Sequence, residues 1–307
     1  MADIALLDGG NGQEISKRSR GVTHPLWSVE VMFETPELVV DVHSEFIEAG
    51  ARVLTVNTYA ATPTRMENHG YGDRFEEAHA TAIQLARSAI AKSGQSAHYV
   101  QIAGCLPPLV ASFRSEVSKN YADSLEEFRR IVRGQVEHVD LFLIETMSNI
   151  EEASAALDAA TEAGRPVYLG LTLSDDMSNT LRSGERLEAA ISALARKSPN
   201  GILLNCSTPE AITKAMPILA QSGIRFGGYA NGFTSVEAFE PGGTVDSLRA
   251  RRDLSPDVYA DFVEQWVDLG ATIVGGCCEV APAHIKHLAD RLIASGHTIA
   301  NLGGAPG

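Results

Sequence analysis

At 307 residues, 44% of them hydrophobic, the chain can bury a large core, and one large α/β domain is expected. Its 39 acidic against 25 basic residues leave a formal charge of −14, which repels phosphate backbones and anionic lipid but tolerates a cationic small molecule; no nucleic acid partner is expected. No apolar run reaches the roughly 18 residues of a bilayer crossing, and the opening MADIALLDGG lacks a basic or hydrophobic signal region, so a soluble, cytoplasmic protein with no membrane partner is expected.

Short aliphatic runs recur between longer amphipathic stretches. In chain order they are IALLDGG (4–10), RVLTVNTY (52–59), HYVQIAGC (98–105), LFLIETM (141–147), PVYLGLTL (166–173), GILLNCS (201–207), RFGGYAN (225–231) and TIVGGCC (272–278). Most are near-continuous apolar segments, as parallel strands covered on both faces should be. Helix-start chemistry lies between them. Thr35-Pro36-Glu37 and Ser255-Pro256-Asp257 each read as a capping hydroxyl, a proline at the first helical position and an acid facing the helix dipole. Ser148 with Glu151, and Asp73 with Glu76, have capping-box spacing, and Gly50 and Gly270 read as helix closers.

Eight alternations of strand and helix outline a (β/α)8 TIM barrel, a single domain over 1–300, with an open doubly wound sheet as the alternative. The irregular stretches 11–34 and 232–254 read as βα loops at the carboxyl face, where such barrels keep their active sites, and 301–307 (NLGGAPG) reads as a flexible tail.

The polar residues ending the strands should converge on one mouth: Asp8, Asn57, Cys105, Glu145, Cys206, Asn231, Cys277 and Cys278. In a reducing cytoplasm structural disulfides are not expected, and adjacent cysteines bridge only through a strained ring. Cys206, Cys277 and Cys278 end the sixth and eighth strands, one strand apart. Three thiolates in range of one another suit Zn2+, with a fourth position open to substrate. For both adjacent cysteines to face inward the strand end must bend, and Gly275 and Gly276 are expected to permit that. Ordinary buried cysteines, or a thiol redox pair at Cys277 and Cys278, are the competing readings. A dinucleotide fingerprint fails in LLDGGNGQEI, because Ile15 stands where its last glycine belongs.

LLDGGNG, AGARVLTVNTYAATP, FLIETMSNIEEA, GILLNCSTPE, GGYANG and YADFVEQWVDLGATIVGGCCEVAPAHI together resemble the zinc-dependent homocysteine S-methyltransferase family, from about residue 4 to residue 292. The resemblance implies that Cys206, Cys277 and Cys278 hold zinc and leave the fourth site to the homocysteine thiol. It implies that Glu145 grips the homocysteine amino group, and that Asp8, Gly9 and Gly10 begin the same substrate pocket. Trp27 and Tyr59, with Asn57 beside them, fall on the donor side, where aromatic faces suit onium methyl groups. His24 is read as a plain loop residue.

The implied reaction is methyl transfer from S-methylmethionine or a similar sulfonium to homocysteine, a step of methionine biosynthesis. Betaine is the alternative donor, weakened because Thr146 stands where betaine-type members have tyrosine after the motif glutamate. Asn231, ending the seventh strand between the cysteine-bearing strands, is expected to cap the metal through its amide oxygen until homocysteine arrives.

Overall fold

In the computed structural model, which describes residues 1–19, 24–96, 98–241 and 243–303, each of the eight aliphatic runs contains a strand. They are β1 (Asp3–Leu6), β2 (Val53–Thr55), β3 (Gln101–Leu106), β4 (Leu141–Met147), β5 (Val167–Leu171), β6 (Gly201–Asn205), β7 (Phe226–Tyr229) and β8 (Ile273–Val274). A ninth, β9 (Thr298–Ala300), lies outside those runs. All pair in parallel, in the order β2-β3-β4-β5-β6-β7-β8-β1-β9.

The order closes on itself through β1, which reaches β2 as well as β8 and β9. Arg52 N donates to Leu6 O across 2.8 Å and Asp8 N to Val53 O across 3.1 Å, so β1 closes on β2 and the sheet is a TIM-like barrel, not an open doubly wound sheet. Alternate residues divide the apolar side chains into two layers. Ala5, Leu7, Val53, Leu141, Leu143 and Ile273 fill the barrel, while Leu6, Leu54, Phe142, Ile144 and Leu204 pack outward under the helices. Each fully buried aliphatic chain contributes about 1.5–3 kcal/mol, so this double layer anchors the strand ends that carry the polar groups.

The end of the chain departs from the expected flexible tail. β9 pairs with β1, Leu302 is buried inside the barrel floor, and the Leu302 carbonyl accepts from Arg225 Nη1 at 2.9 Å. Asn301 and Leu302 are therefore packed, and only 304–307 of the expected tail lie outside the described residues. The stretch 11–34 also differs, since it holds helices Asn11–Arg18 and Ser28–Glu34. By contrast the described residues of 232–254 hold a single short turn of 3-10 helix, Val245–Ser247, and form a long βα loop as expected.

Caps follow the expected chemistry unevenly. Ser255 accepts from Val258 N, and Gly50 and Gly270 take left-handed φ of 114° and 99°, where a side chain would be strained. Thr35 makes no side-chain cap, Asn149 and not Ser148 caps its helix, and Asp73 lies in a 3-10 turn before the helix that begins at Phe75. No described helix is long and apolar enough to cross a membrane.

Candidate active site

β6 ends at Asn205, and Cys206 follows in the left-handed region at φ 48°. β8 ends at Val274, so Cys277 and Cys278 stand beyond the strand. They occupy a turn closed by Val280 N to Cys277 O at 3.0 Å, tied to the loop after β7 by Cys277 N to Ala230 O at 2.9 Å and Gly232 N to Cys278 O at 2.8 Å. The turn, not a bent strand, brings both thiols to one place. Gly275 and Gly276 do not take positive φ; they serve close approach instead. A Cβ at Gly276 would lie 2.1 Å from Val280 Cγ1, and one at Gly275 would lie 2.6 Å from Leu7 Cβ.

The sulfurs of Cys206, Cys277 and Cys278 lie within 4.8 Å of one another. A tetrahedral zinc with bonds of about 2.3 Å spaces its sulfurs roughly 3.8 Å apart, so the donor set fits with a slight closing. Hydrogen bonds from Cys277 and Cys278 draw Cys206 well below the ordinary thiol range, and donating to Cys206 pushes Cys277 up. One thiolate is thus already favoured, and a cation is what the other two would need to ionise. Asn231 is fully buried beside them. Its Nδ2 faces Cys206 Sγ at 3.9 Å, while its Oδ1 accepts from Phe233 N at 3.1 Å.

Two carboxyls share the barrel mouth. Asp8 accepts from Asn11 Nδ2 at 2.6 Å and from Thr55 N at 2.8 Å, yet burial pushes its pKa up to about 7. Gly9 and Gly10 let its turn press on the cysteine turn: a Cβ would lie 2.3 Å from Val280 O at Gly9 and 2.7 Å from Cys277 O at Gly10. Glu145 accepts from Cys105 Sγ and from Tyr229 Oη, both at 3.2 Å. Burial, with Asp8 adding repulsion, pushes it up to about 8. Its direction comes from a register shift in β4 between Ile144 and Met147, with Thr146 at φ 61°. Such a conformation is costly for a β-branched residue. The Asn205 side chain holds it, accepting from Thr146 N and donating to Thr146 Oγ1, both at 2.9 Å.

A cavity of about 390 Å³ joins these groups, lined among others by Asp8, Trp27, Tyr59, Glu145, Phe233 and the three thiols. Trp27 and Tyr59 meet edge to face, their centroids 6.3 Å apart. Asn57 lines it too, but its amide is committed to Ser28: Oδ1 accepts from Ser28 Oγ at 2.6 Å and Nδ2 donates to Ser28 O at 3.0 Å. It therefore fixes the helix that follows Trp27. His24, expected as a plain loop residue, lines the same cavity. Sequence reasoning gives no role to Asn205 or Tyr229, and places Cys105 at the mouth, where it lies, without assigning it one. The only signal for the first was a polar side chain at the end of an apolar run, next to a candidate ligand.

A closed parallel barrel gathers at its carboxyl end two buried carboxyls and three thiols that could hold a soft metal ion, the arrangement of an enzyme site. The profile of the homocysteine S-methyltransferase family matches residues 5–292. The homocysteine S-methyltransferase of Escherichia coli (strain K12) is 30% identical, covering 94% of this chain and 95% of that one. Homocysteine S-methyltransferase 1 of Arabidopsis thaliana is 27% identical, covering 92% and 91%. The crystal structure of the homocysteine methyltransferase MmuM from Escherichia coli in its metallated form superposes with a TM-score of 0.79 at 26% identity, covering 94% of this chain and 96% of that one. The chain belongs to the homocysteine S-methyltransferase family and is a methyltransferase.

Proposed function

We propose that this enzyme transfers a methyl group from a sulfonium donor, S-methylmethionine or a close analogue, to the thiol of homocysteine, forming methionine in the cytoplasm. The observation that carries the reading is the single cavity in which three thiols face two buried carboxyls. Cys206, Cys277 and Cys278 would hold zinc, whose chemistry is to lower the pKa of a substrate thiol to the point of deprotonation.

The chain's own residues bind and align. Glu145 gives up its proton as the homocysteine ammonium arrives, while the Cys105 thiol and the Tyr229 hydroxyl keep its two oxygens in place. Asp8, with the turn at Gly9 and Gly10, adds a second negative wall. Trp27 and Tyr59 offer aromatic faces to the onium methyl groups. In the transfer a sulfur lone pair of homocysteine forms the new S–CH3 bond as the donor's C–S+ bond breaks, and the donor leaves as a neutral thioether. No general base is needed once the thiol is ionised, so alignment is the main task.

Thr146 is buried and bound to Asn205, so no tyrosine hydroxyl is available at that position for a betaine donor, which favours the sulfonium. For Asn231, the nitrogen facing Cys206 favours a hydrogen bond to a ligand thiolate; capping the metal through oxygen would first require release of Phe233 N. The test is methionine formation from homocysteine with S-methylmethionine, S-adenosylmethionine, betaine and a dimethylsulfonio acid. S-Methylmethionine should be the best donor of the set, and a faster rate with betaine would replace the sulfonium reading.

A further inference from the structure

The cavity is polarised from floor to mouth. Its deep end carries Asp8, Glu145 and the three thiols, all negative or acidic. Toward the aromatic wall stands Arg65, the only lysine or arginine among the described residues that line it. Arg65 lies in helix Pro63–Asn68, capped by Thr62, with its guanidinium 5.6 Å from the centroid of the Tyr59 ring.

Its contacts leave the charge unmatched. Nε donates to Val110 O at 3.1 Å, Nη1 to Tyr59 O at 3.3 Å and Nη2 to Pro108 O at 2.8 Å. A guanidinium has five N–H groups, so two remain over after those three carbonyls. Glu152, the carboxylate whose charge Arg65 feels, is instead bound to Leu109 N and Ser118 Oγ. Burial draws the Arg65 pKa down, the expected sign for a cation short of an anion. His69, which also lines the cavity, is drawn down, mainly by burial, and so stays uncharged at neutral pH, which leaves Arg65 as the cation on that side.

We propose that Arg65 binds the carboxylate of the methyl donor, and so selects zwitterionic onium carboxylates over simple onium cations. The proposal rests on the onium-donor reading above. Asp8, Glu145 and the thiols at the floor offer a substrate carboxylate no cationic partner. A donor whose sulfonium lies against Trp27 and Tyr59 can extend its carboxylate along the Tyr59 ring to the guanidinium stacked beside it.

The experiment compares S-methylmethionine with its carboxamide, which keeps the sulfonium and the amino group but removes the negative charge. With the zinc-loaded native enzyme and homocysteine, kcat/KM should favour the acid by at least about tenfold. Arg65→Gln should abolish that preference, raising KM for the acid about 10- to 100-fold while the carboxamide and the homocysteine KM change little. Arg65→Lys, which keeps a point charge, should retain part of the preference.

An equal loss for both donors in Arg65→Gln would make Arg65 a clamp on the loop carbonyls and overturn the proposal. So would a shift in the homocysteine KM in place of the donor KM, because the bound carboxylate would then belong to the acceptor. Should neither donor yield methionine on the native enzyme, the onium reading itself falls, a failure visible before any variant is made.

Discussion

Asn205 and Thr146 form a closed pair across the strands that carry the thiol and the carboxylate: the Asn205 amide both accepts from Thr146 N and donates to Thr146 Oγ1, each at 2.9 Å. The pair holds Thr146 at φ 61° and so fixes the direction of Glu145, one residue before it, while Asn205 itself precedes Cys206. Asn205→Ala removes both bonds and leaves the strained backbone unsupported. A loss of about 2–3 kcal/mol in urea unfolding is expected, with weaker homocysteine binding and metal content retained. Unchanged homocysteine affinity would detach the pair from substrate binding.

Glu145→Gln should weaken homocysteine about 10- to 100-fold, the value of a charge-assisted bond to an ammonium, and leave metal content unchanged. Binding should also release fewer protons. In the empty site burial holds Glu145 up to about 8, so it is largely protonated at pH 7 and must ionise when the ammonium arrives. Calorimetry at pH 7 in buffers of different ionisation enthalpy should show close to one proton fewer released by Glu145→Gln than by the native enzyme. Equal proton counts would mean that the carboxyl does not titrate on binding.

His43 is fully buried, with neither ring nitrogen bonded to any described residue. Burial draws its pKa down to about 4, so the folded protein keeps it neutral while the unfolded chain takes up a proton near 6.5. Its contribution to stability is therefore complete above pH 6.5 and is lost as pH falls toward 4, by about 2 kcal/mol at pH 5. His43→Leu should remove that part of the acid sensitivity. The stability difference between variant and native protein should shift in the variant's favour between pH 7 and pH 5, and a pH-independent difference would show that His43 does not titrate on unfolding.

The barrel was legible because parallel strands buried on both faces must be continuous aliphatic runs, and LFLIETM and GILLNCS have no other place in a fold of this size. The thiols were legible because cysteines closing two such runs meet at one mouth. What was hidden depends on contacts far apart in sequence. β9 is too short and ordinary to announce itself, and it is placed by pairing with Asp3, Ile4 and Ala5 at the other end of the chain. Gly275 and Gly276 carry no visible difference between a glycine that bends and one that yields room to Leu7 and Val280. The bulge at Thr146 depends on an asparagine 59 residues away.

Cys278→Ala should lose most bound zinc while the fold survives, since a core of this size does not depend on one ion. Metal analysis of protein purified without chelator should give about one zinc per native chain. Full occupancy in the variant would remove Cys278 from the ligand set.

The most direct test of the site is the sulfur coordination number at zinc, read by X-ray absorption at the zinc edge with and without homocysteine. Three cysteine thiolates and one lighter atom are expected in the resting enzyme, becoming four sulfurs when homocysteine binds. A count that stays at three, or a resting site that already holds four sulfurs, would contradict a centre built from Cys206, Cys277 and Cys278 to receive the substrate thiol.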